Sequence, residues 1–203
     1  VVVYPKLYCG ECDYCRQGLT NLCPSAEFLG VMDKNGAFTE YLAVPEKYVF
    51  RFSENISFTE ASMIEPLAVA YRATTKISEE AIRQANYIVV IGAGTIGALV
   101  LQILKLKGAK HVIISDLSDF RLEKARELGA DETINPSKTD FEVKVTKVTG
   151  GKMVDYAFEA VGLFDTAAQS LEALKIGGAA IWIGNAQKMI ETNMQKIVTT
   201  ELT

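Results

Sequence analysis

The rhythm of apolar and polar positions changes near residue 87. Downstream, β-branched runs at 87–91, 111–115, 132–134, 153–158 and 179–184 read as strands. Stretches of helical period lie between them at 95–107, 119–128, 139–148 and 164–175. Gly108, Gly129, Gly150 and Gly177 stand where those helices should stop. This alternation predicts an α/β fold, a doubly wound parallel sheet with helices on both faces.

Upstream the pattern is irregular and β-rich. Residues 36–44 (GAFTEYLAV) alternate like a strand, and Pro45 ends it. Ser57-Phe58-Thr59-Glu60 is a capping box that opens a helix. Pro66 disfavours helical backbone at Glu65, so the helix should break there and a second one start with Pro66 at its first position. The division between the two parts falls near 65–85, and we separate 1–65 from 66–203.

The ends carry a further expectation. Val1-Val2-Val3 reads as a strand entered from upstream, and residues 197–203 are β-prone. Both suggest a piece of a longer protein. No basic and apolar leader precedes the first strand, which points to the cytoplasm.

Composition narrows the class. With 203 residues, 49% apolar and 23% charged, the chain suits a globular protein with a sizeable core. Its net charge of −4 argues against a nucleic-acid partner. Residues 87–104 carry no formal charge over 18 positions, the short limit for a membrane span. Three glycines within that stretch favour a buried strand turning into a buried helix, so no membrane partner is expected.

All four cysteines fall in one loop. Cys9, Cys12, Cys15 and Cys23 follow the pattern C-x2-C-x2-C-x7-C. Four thiolates suit tetrahedral zinc, and Gly10 and Gly18 supply the backbone freedom a tight loop needs. An iron–sulfur cluster is the chemical rival, since Cys23-Pro24 echoes the ferredoxin pattern, but the last gap is 7 rather than 3. Four free buried thiols are the remaining alternative. A closed four-cysteine site leaves no position for substrate and is structural.

The strand at 87–91 runs into Gly92-Ala93-Gly94-Thr95-Ile96-Gly97, a G-x-G-x-x-G turn opening a helix. Gly92 would allow the tight turn, Gly94 the approach of a pyrophosphate, and Gly97 close helix–sheet packing. The phosphate would lie on the free N–H groups at the helix start. Asp116 follows Gly97 by 19 residues, where an acid holding ribose hydroxyls belongs. A carboxylate there repels a 2′-phosphate and favours NAD over NADP, although Arg121 nearby could tolerate extra charge. The plainer reading of Asp116 is a solvated helix-capping residue, since Ser118 and Asp119 follow it.

Taken in order, the cysteine loop, Glu65-Pro66-Leu67, the glycine turn and Ile114-Ser115-Asp116 closely resemble the zinc-dependent medium-chain alcohol and polyol dehydrogenase family. The resemblance runs over essentially the whole chain. It implies a partial GroES-like catalytic domain with a zinc lobe at 1–65, and a Rossmann domain lacking its last strand at 66–203. It further implies oxidation of a secondary alcohol by hydride transfer to NAD, with a catalytic zinc polarising the alcohol.

In polyol-type members the Glu of Glu-Pro-Leu is a ligand of that catalytic zinc, so Glu65 is carried over. A surface acid near a helix end is the alternative. The resemblance also places Thr95, Ile96, Leu117 and Arg121 beside the cofactor, and Ala160, Val161, Ile183 and Gly184 along the nicotinamide. It leaves the substrate open among a sugar alcohol, a polyol phosphate such as galactitol 1-phosphate, a vicinal diol and L-threonine. It implies a homodimer or homotetramer for the parent protein.

The family's upstream Cys and G-H-E segment have no counterpart here, and the single histidine, His111, begins a Rossmann strand. These residues alone are therefore expected to lack dehydrogenase activity. A non-catalytic zinc- and NAD-binding module is the alternative reading. Without a sixth strand, the edge at 179–184 is expected to be exposed.

Overall fold

The computed structural model describes residues 1–31 and 34–203. These form two compact units, Val1–Glu65 and Pro66–Thr203.

The first unit is mostly loop. Strand β1 (Val2–Val3) and strand β2 (Lys6–Leu7) precede helix α1 (Asp13–Arg16). Then come β3 (Glu27–Phe28), β4 (Val49–Phe50) and helix α2 (Phe58–Ala61). β1 pairs antiparallel with β4, and β2 with β3. Three tyrosines, Tyr4, Tyr8 and Tyr48, pack edge-to-face in this unit. Tyr8 meets Tyr48 edge-to-face at 5.1 Å, and buried Tyr48 donates its hydroxyl proton to the Tyr8 carbonyl at 2.6 Å.

Two expectations need correction here. The unit has far less strand than its β-branched composition suggests. Residues 36–44 form no strand, and Phe38 and Tyr41 stand almost fully exposed. Alternation predicts a strand only if a partner edge is available, and this segment pairs with none among the described residues.

The capping box forms as read. Ser57 Oγ accepts the Glu60 N–H at 3.2 Å, and the Glu60 carboxylate accepts the Ser57 N–H at 2.8 Å. The Ser57 hydroxyl, donating to the same carboxylate at 2.7 Å, and the Ser57 N–H hold the Glu60 carboxyl below its ordinary range. The helix break, however, lies at Ser62–Met63, not at Glu65. Helix α3 (Ile64–Thr74) already contains Glu65 and Pro66. Pro66 is its third residue, where an N–H has no intrahelical partner to lose, so no break is required.

In the second unit, helix α4 (Glu79–Gln84) precedes the sheet, its N-terminus capped by Ser78. Strands β5 (Ile88–Ile91), β6 (Val112–Ser115) and β7 (Glu132–Ile134) are separated by helices α5 (Thr95–Leu106) and α6 (Asp119–Glu127). Helix α7 (Phe141–Thr149), β8 (Val154–Glu159), helix α8 (Phe164–Glu172), β9 (Leu174–Trp182) and helix α9 (Met194–Thr199) complete it. All five strands are parallel in the order β7-β6-β5-β8-β9.

The period-2 alternation of β5 divides the core. Ile88 and Val90 face one cluster with Val100, Leu101 and Leu104 of α5. Val89 and Ile91 face another with Phe141 and Val145 of α7 and Leu171 of α8. Both faces of the sheet are thereby covered, as parallel sheets require.

Gly108, Gly129 and Gly150 follow α5, α6 and α7 at φ values of +89°, +102° and +59°. They are the helix stops the sequence suggests. Gly177 is not. α8 already ends at Glu172, and Gly177 lies in an irregular stretch of β9, between the Leu174 and Ala179 pairings with β8.

The β-prone stretch near the C-terminus is instead helical as far as Thr199, with Asn193 capping α9. Beyond it, Ala180 donates to the Thr203 carbonyl at 2.8 Å and Thr203 donates to Gly178 at 3.1 Å. The middle of the β9 edge is thus covered by the chain's own last residues rather than fully exposed. Among the described residues no helix is long and apolar enough to cross a membrane.

Candidate functional site

The chain order of strands places a reversal between β5 and β8. In open parallel sheets, ligands bind at the carboxyl ends of the strands beside such a reversal. The glycine turn leaves β5 at that place. Gly92 has φ +94°, and a Cβ there would lie 2.6 Å from Val161 Cγ2. A Cβ on Gly97 would lie 1.7 Å from the Gly92 carbonyl oxygen, so only glycine lets α5 pack this close. At Gly94 a Cβ would meet nothing within 4 Å. The backbone at Gly94 is therefore open to an approaching group. Gly94 caps α5 without any side-chain acceptor, which leaves the first N–H groups of the helix for a ligand. Thr95 is exposed and Ile96 half-buried at this helix start.

Asp116 stands just past β6 and is tied back to the turn. Its Oδ2 accepts the Ala93 N–H at 2.8 Å, and its Oδ1 accepts the Ser118 N–H at 2.8 Å. The capping geometry and proximity to the turn are both present. Arg121, 57% exposed, lies 3.6 Å from Asp116 Oδ2. Leu117 points largely to solvent.

Across the reversal, Ala160 donates to the Ile91 carbonyl at 2.9 Å. Ile183 and Gly184 both donate to the Glu159 carbonyl, at 2.8 and 3.1 Å. Ala160, Val161, Ile183 and Gly184 are half-buried and share the carboxyl edge of β8 and β9. The sheet brings these positions and the glycine turn to one edge.

The four cysteines also converge. Their sulfurs all lie within 4.8 Å of one another, with Cys9 Sγ 3.6 Å from Cys23 Sγ and 3.9 Å from Cys15 Sγ. Zinc–sulfur bonds of about 2.3 Å in a tetrahedron require sulfur separations of about 3.8 Å, so the donor set fits zinc. Gly10, at φ +90°, turns the chain between the first two ligands. The N–H groups of Glu11 and Cys12 reach Cys9 Sγ at 3.5 and 3.4 Å. They hold the Cys9 thiol down to about 6. Desolvation and the neighbouring sulfurs push the Cys15 thiol up to about 12.

Sequence reasoning missed a cation here. Lys47 Nζ lies 4.8 Å above the Tyr48 ring and 5.1 Å above the Tyr8 ring, and a Cβ on Gly10 would lie 3.9 Å from it. The neighbouring Tyr48, and after it Tyr8 and Cys9, raise its pKa. No local pattern marks a contact made across forty residues of chain.

Glu65 is placed differently. It is exposed in the first turn of α3. Among the described residues, the four cysteines are the one group of His, Cys, Asp or Glu side chains close enough to share an ion. Glu65 has no companion ligand, so the described residues do not fit a catalytic zinc. His111 stacks on Tyr87 at 5.2 Å, next to the start of β6.

Residues 95–203 match the zinc-binding dehydrogenase family, and residues 1–54 match the alcohol dehydrogenase GroES-like domain. A sorbitol dehydrogenase of Bacillus subtilis (strain 168) is 30% identical over all of this chain and 57% of its own length. The chain thus spans a little over half the length of that relative. An alcohol dehydrogenase from Escherichia coli CFT073, solved with NADH, is 31% identical with TM-score 0.87, covering 99% of this chain and 58% of that one. A Sinorhizobium meliloti 1021 protein solved with NADP is 28% identical with TM-score 0.87, covering 99% and 59%. The family match over residues 95–203 takes in more than half of the chain, and the chain belongs to the zinc-binding dehydrogenase family.

Proposed function

We propose that these residues are the dinucleotide-binding and zinc-loop part of an oxidoreductase that oxidises a secondary alcohol of a polyol or polyol phosphate to the ketone. The observation that carries this reading is the glycine turn. Its backbone is open at Gly94, backed by an uncapped helix start and braced by Asp116.

In this reading the pyrophosphate lies on the α5 N-terminus across Gly92, Gly94, Thr95, Ile96 and Gly97. Asp116 receives the adenosine ribose hydroxyls, with Leu117 and Arg121 flanking them. Ala160, Val161, Ile183 and Gly184 border the nicotinamide. When bound, the nicotinamide supplies the hydride acceptor. The Asp116 carboxylate disfavours a 2′-phosphate, so NAD is preferred over NADP. The exposed Arg121 is a weak counterweight, because exposed ion pairs contribute little.

Cys9, Cys12, Cys15 and Cys23 would hold a structural zinc that fixes the loop. Free thiols at these separations suit a reducing compartment such as the cytoplasm. Glu65 has no companion ligand among the described residues, and residues 1–203 alone bind rather than turn over. Assembly as a homodimer or homotetramer belongs to the same reading.

The test has two arms. Calorimetric titration of residues 1–203 should give one NADH site per chain, with NADPH bound more weakly. The natural protein carrying these residues should reduce NAD when given a polyol. Failure to bind either dinucleotide would refute the reading.

A further inference from the structure

Glu159 is a carboxylate in an unexpected place. It ends β8, an interior strand of the sheet, and is 1% exposed. A buried charge is costly unless its oxygens are well used, so its partners matter.

Those partners all lie at the ends of β8 and β9, across the reversal from the glycine turn. Glu159 Oε1 accepts the N–H groups of both Val161 and Gly162, each at 2.8 Å. The Glu159 carbonyl accepts the N–H groups of Ile183 and Gly184. One residue thus fixes the loop leaving β8 with its side chain and the end of β9 with its main chain.

The two segments it fixes are in close contact. A Cβ on Gly162 would lie 2.2 Å from the Asn185 nitrogen, and one on Gly184 would lie 2.1 Å from the Gly162 nitrogen. Val161 in turn fills the space beside Gly92. If the loop at 160–162 shifts, the whole far side of the crevice shifts with it.

The strand order gives this edge a role. The glycine turn and Asp116 serve the pyrophosphate and adenosine half on the β5–β6 side. The ends of β8 and β9, across the reversal, are left for the other half of the molecule.

We propose that Glu159 is a positioning residue for the nicotinamide half of the dinucleotide. Oε1 holds the Val161 and Gly162 N–H groups in one arrangement, so that residues 160–162 and 183–184 present a fixed surface to the ring. The inference rests on the dinucleotide reading above and adds to it a residue that does not itself touch the cofactor.

The experiment compares NADH with ADP-ribose, which keeps the adenosine, pyrophosphate and second ribose but lacks nicotinamide. Both are titrated calorimetrically into residues 1–203 and into three variants. The unaltered chain should bind NADH more tightly than ADP-ribose. Glu159→Ala leaves two N–H groups without their acceptor, and NADH affinity should fall about tenfold or more. ADP-ribose affinity should stay within about twofold, a change well under 1.4 kcal/mol.

Glu159→Gln keeps an oxygen that can accept both N–H groups and should restore most of the NADH affinity. If Glu159→Ala does not fold, Glu159→Asp makes the same test, since it withdraws the acceptor by one methylene and should also lose NADH selectively. Equal loss of both ligands, no loss of either, or an unaltered chain that gains nothing from nicotinamide would overturn the proposal. Failure of the unaltered chain to bind either ligand would overturn the dinucleotide reading itself, and this proposal with it.

Discussion

Asp116 Oδ2 accepts the Ala93 N–H at 2.8 Å, so the acid that ends one strand braces the glycine turn that ends its neighbour. Its other oxygen holds the Ser118 N–H. Asp116→Ala should therefore lose stability as well as dinucleotide affinity. Leaving the two N–H groups without an acceptor should lower unfolding free energy by about 1–3 kcal/mol. Arg121→Ala should change stability by less than about 0.5 kcal/mol, because the exposed guanidinium contributes little. Denaturant melts of both variants check the contrast. Equal stability losses would contradict it.

The glycines of the turn should separate packing from binding. Gly97→Ala drives a methyl into the Gly92 carbonyl and should cost about 3 kcal/mol of stability. Gly94→Ala has φ −70° and open space around it, so the fold should change by less than about 1 kcal/mol. That methyl would stand where the pyrophosphate approaches, so NADH affinity should fall about tenfold or more. Thermal melts and NADH titrations together read the two effects.

Zinc loading should follow pH in a set direction. The Glu11 and Cys12 N–H groups hold the Cys9 thiol near about 6, so at pH 7 it is largely a thiolate. Metal binding needs thiolates and expels their protons. At pH 5, where Cys9 also carries its proton, zinc binding should release about one more proton per chain than at pH 7 and be weaker. Titrations in buffers of different ionisation enthalpy measure the count. An unchanged count between the two pH values would contradict the assignment.

Asp155 supplies a second pH effect, on stability. Burial pushes its carboxyl up, but Lys175 and the N–H groups of Tyr87 and Asn86 outweigh that and hold it below the ordinary carboxylate range. A lowered folded pKa stabilises the protein above the unfolded value of about 3.9, and that contribution is lost as pH falls through the folded value. Lys175→Met should thus destabilise the chain at pH 7, and the difference from the unaltered protein should shrink below about pH 4. Urea melts across that range read the gap.

The second unit was legible because its signals are steric and local. Gly92 and Gly97 are demanded by contacts that any side chain would violate, and the spacing to Asp116 follows from one strand–helix–strand unit. The four-cysteine loop was legible for the same reason, since its short spacers can surround one ion. What failed was relational. Residues 36–44 alternate well enough for a strand, but a strand also needs a neighbouring edge. The break expected at Glu65 put Pro66 at the first position of the new helix, whereas it stands third, still within the turn that tolerates proline. The contact of Lys47 with Tyr8 is distant along the chain, and the burial of Glu159 follows from its place at the end of an interior strand, so neither is marked by local pattern.

Metal content per chain tests the account most directly, measured for zinc and iron together on protein purified without added metal. About one zinc and no iron is the predicted result, consistent with one closed four-thiolate loop and no second ligand cluster among the described residues. Iron with labile sulfide, or no bound metal at all, would contradict the assignment of Cys9, Cys12, Cys15 and Cys23 as a zinc site.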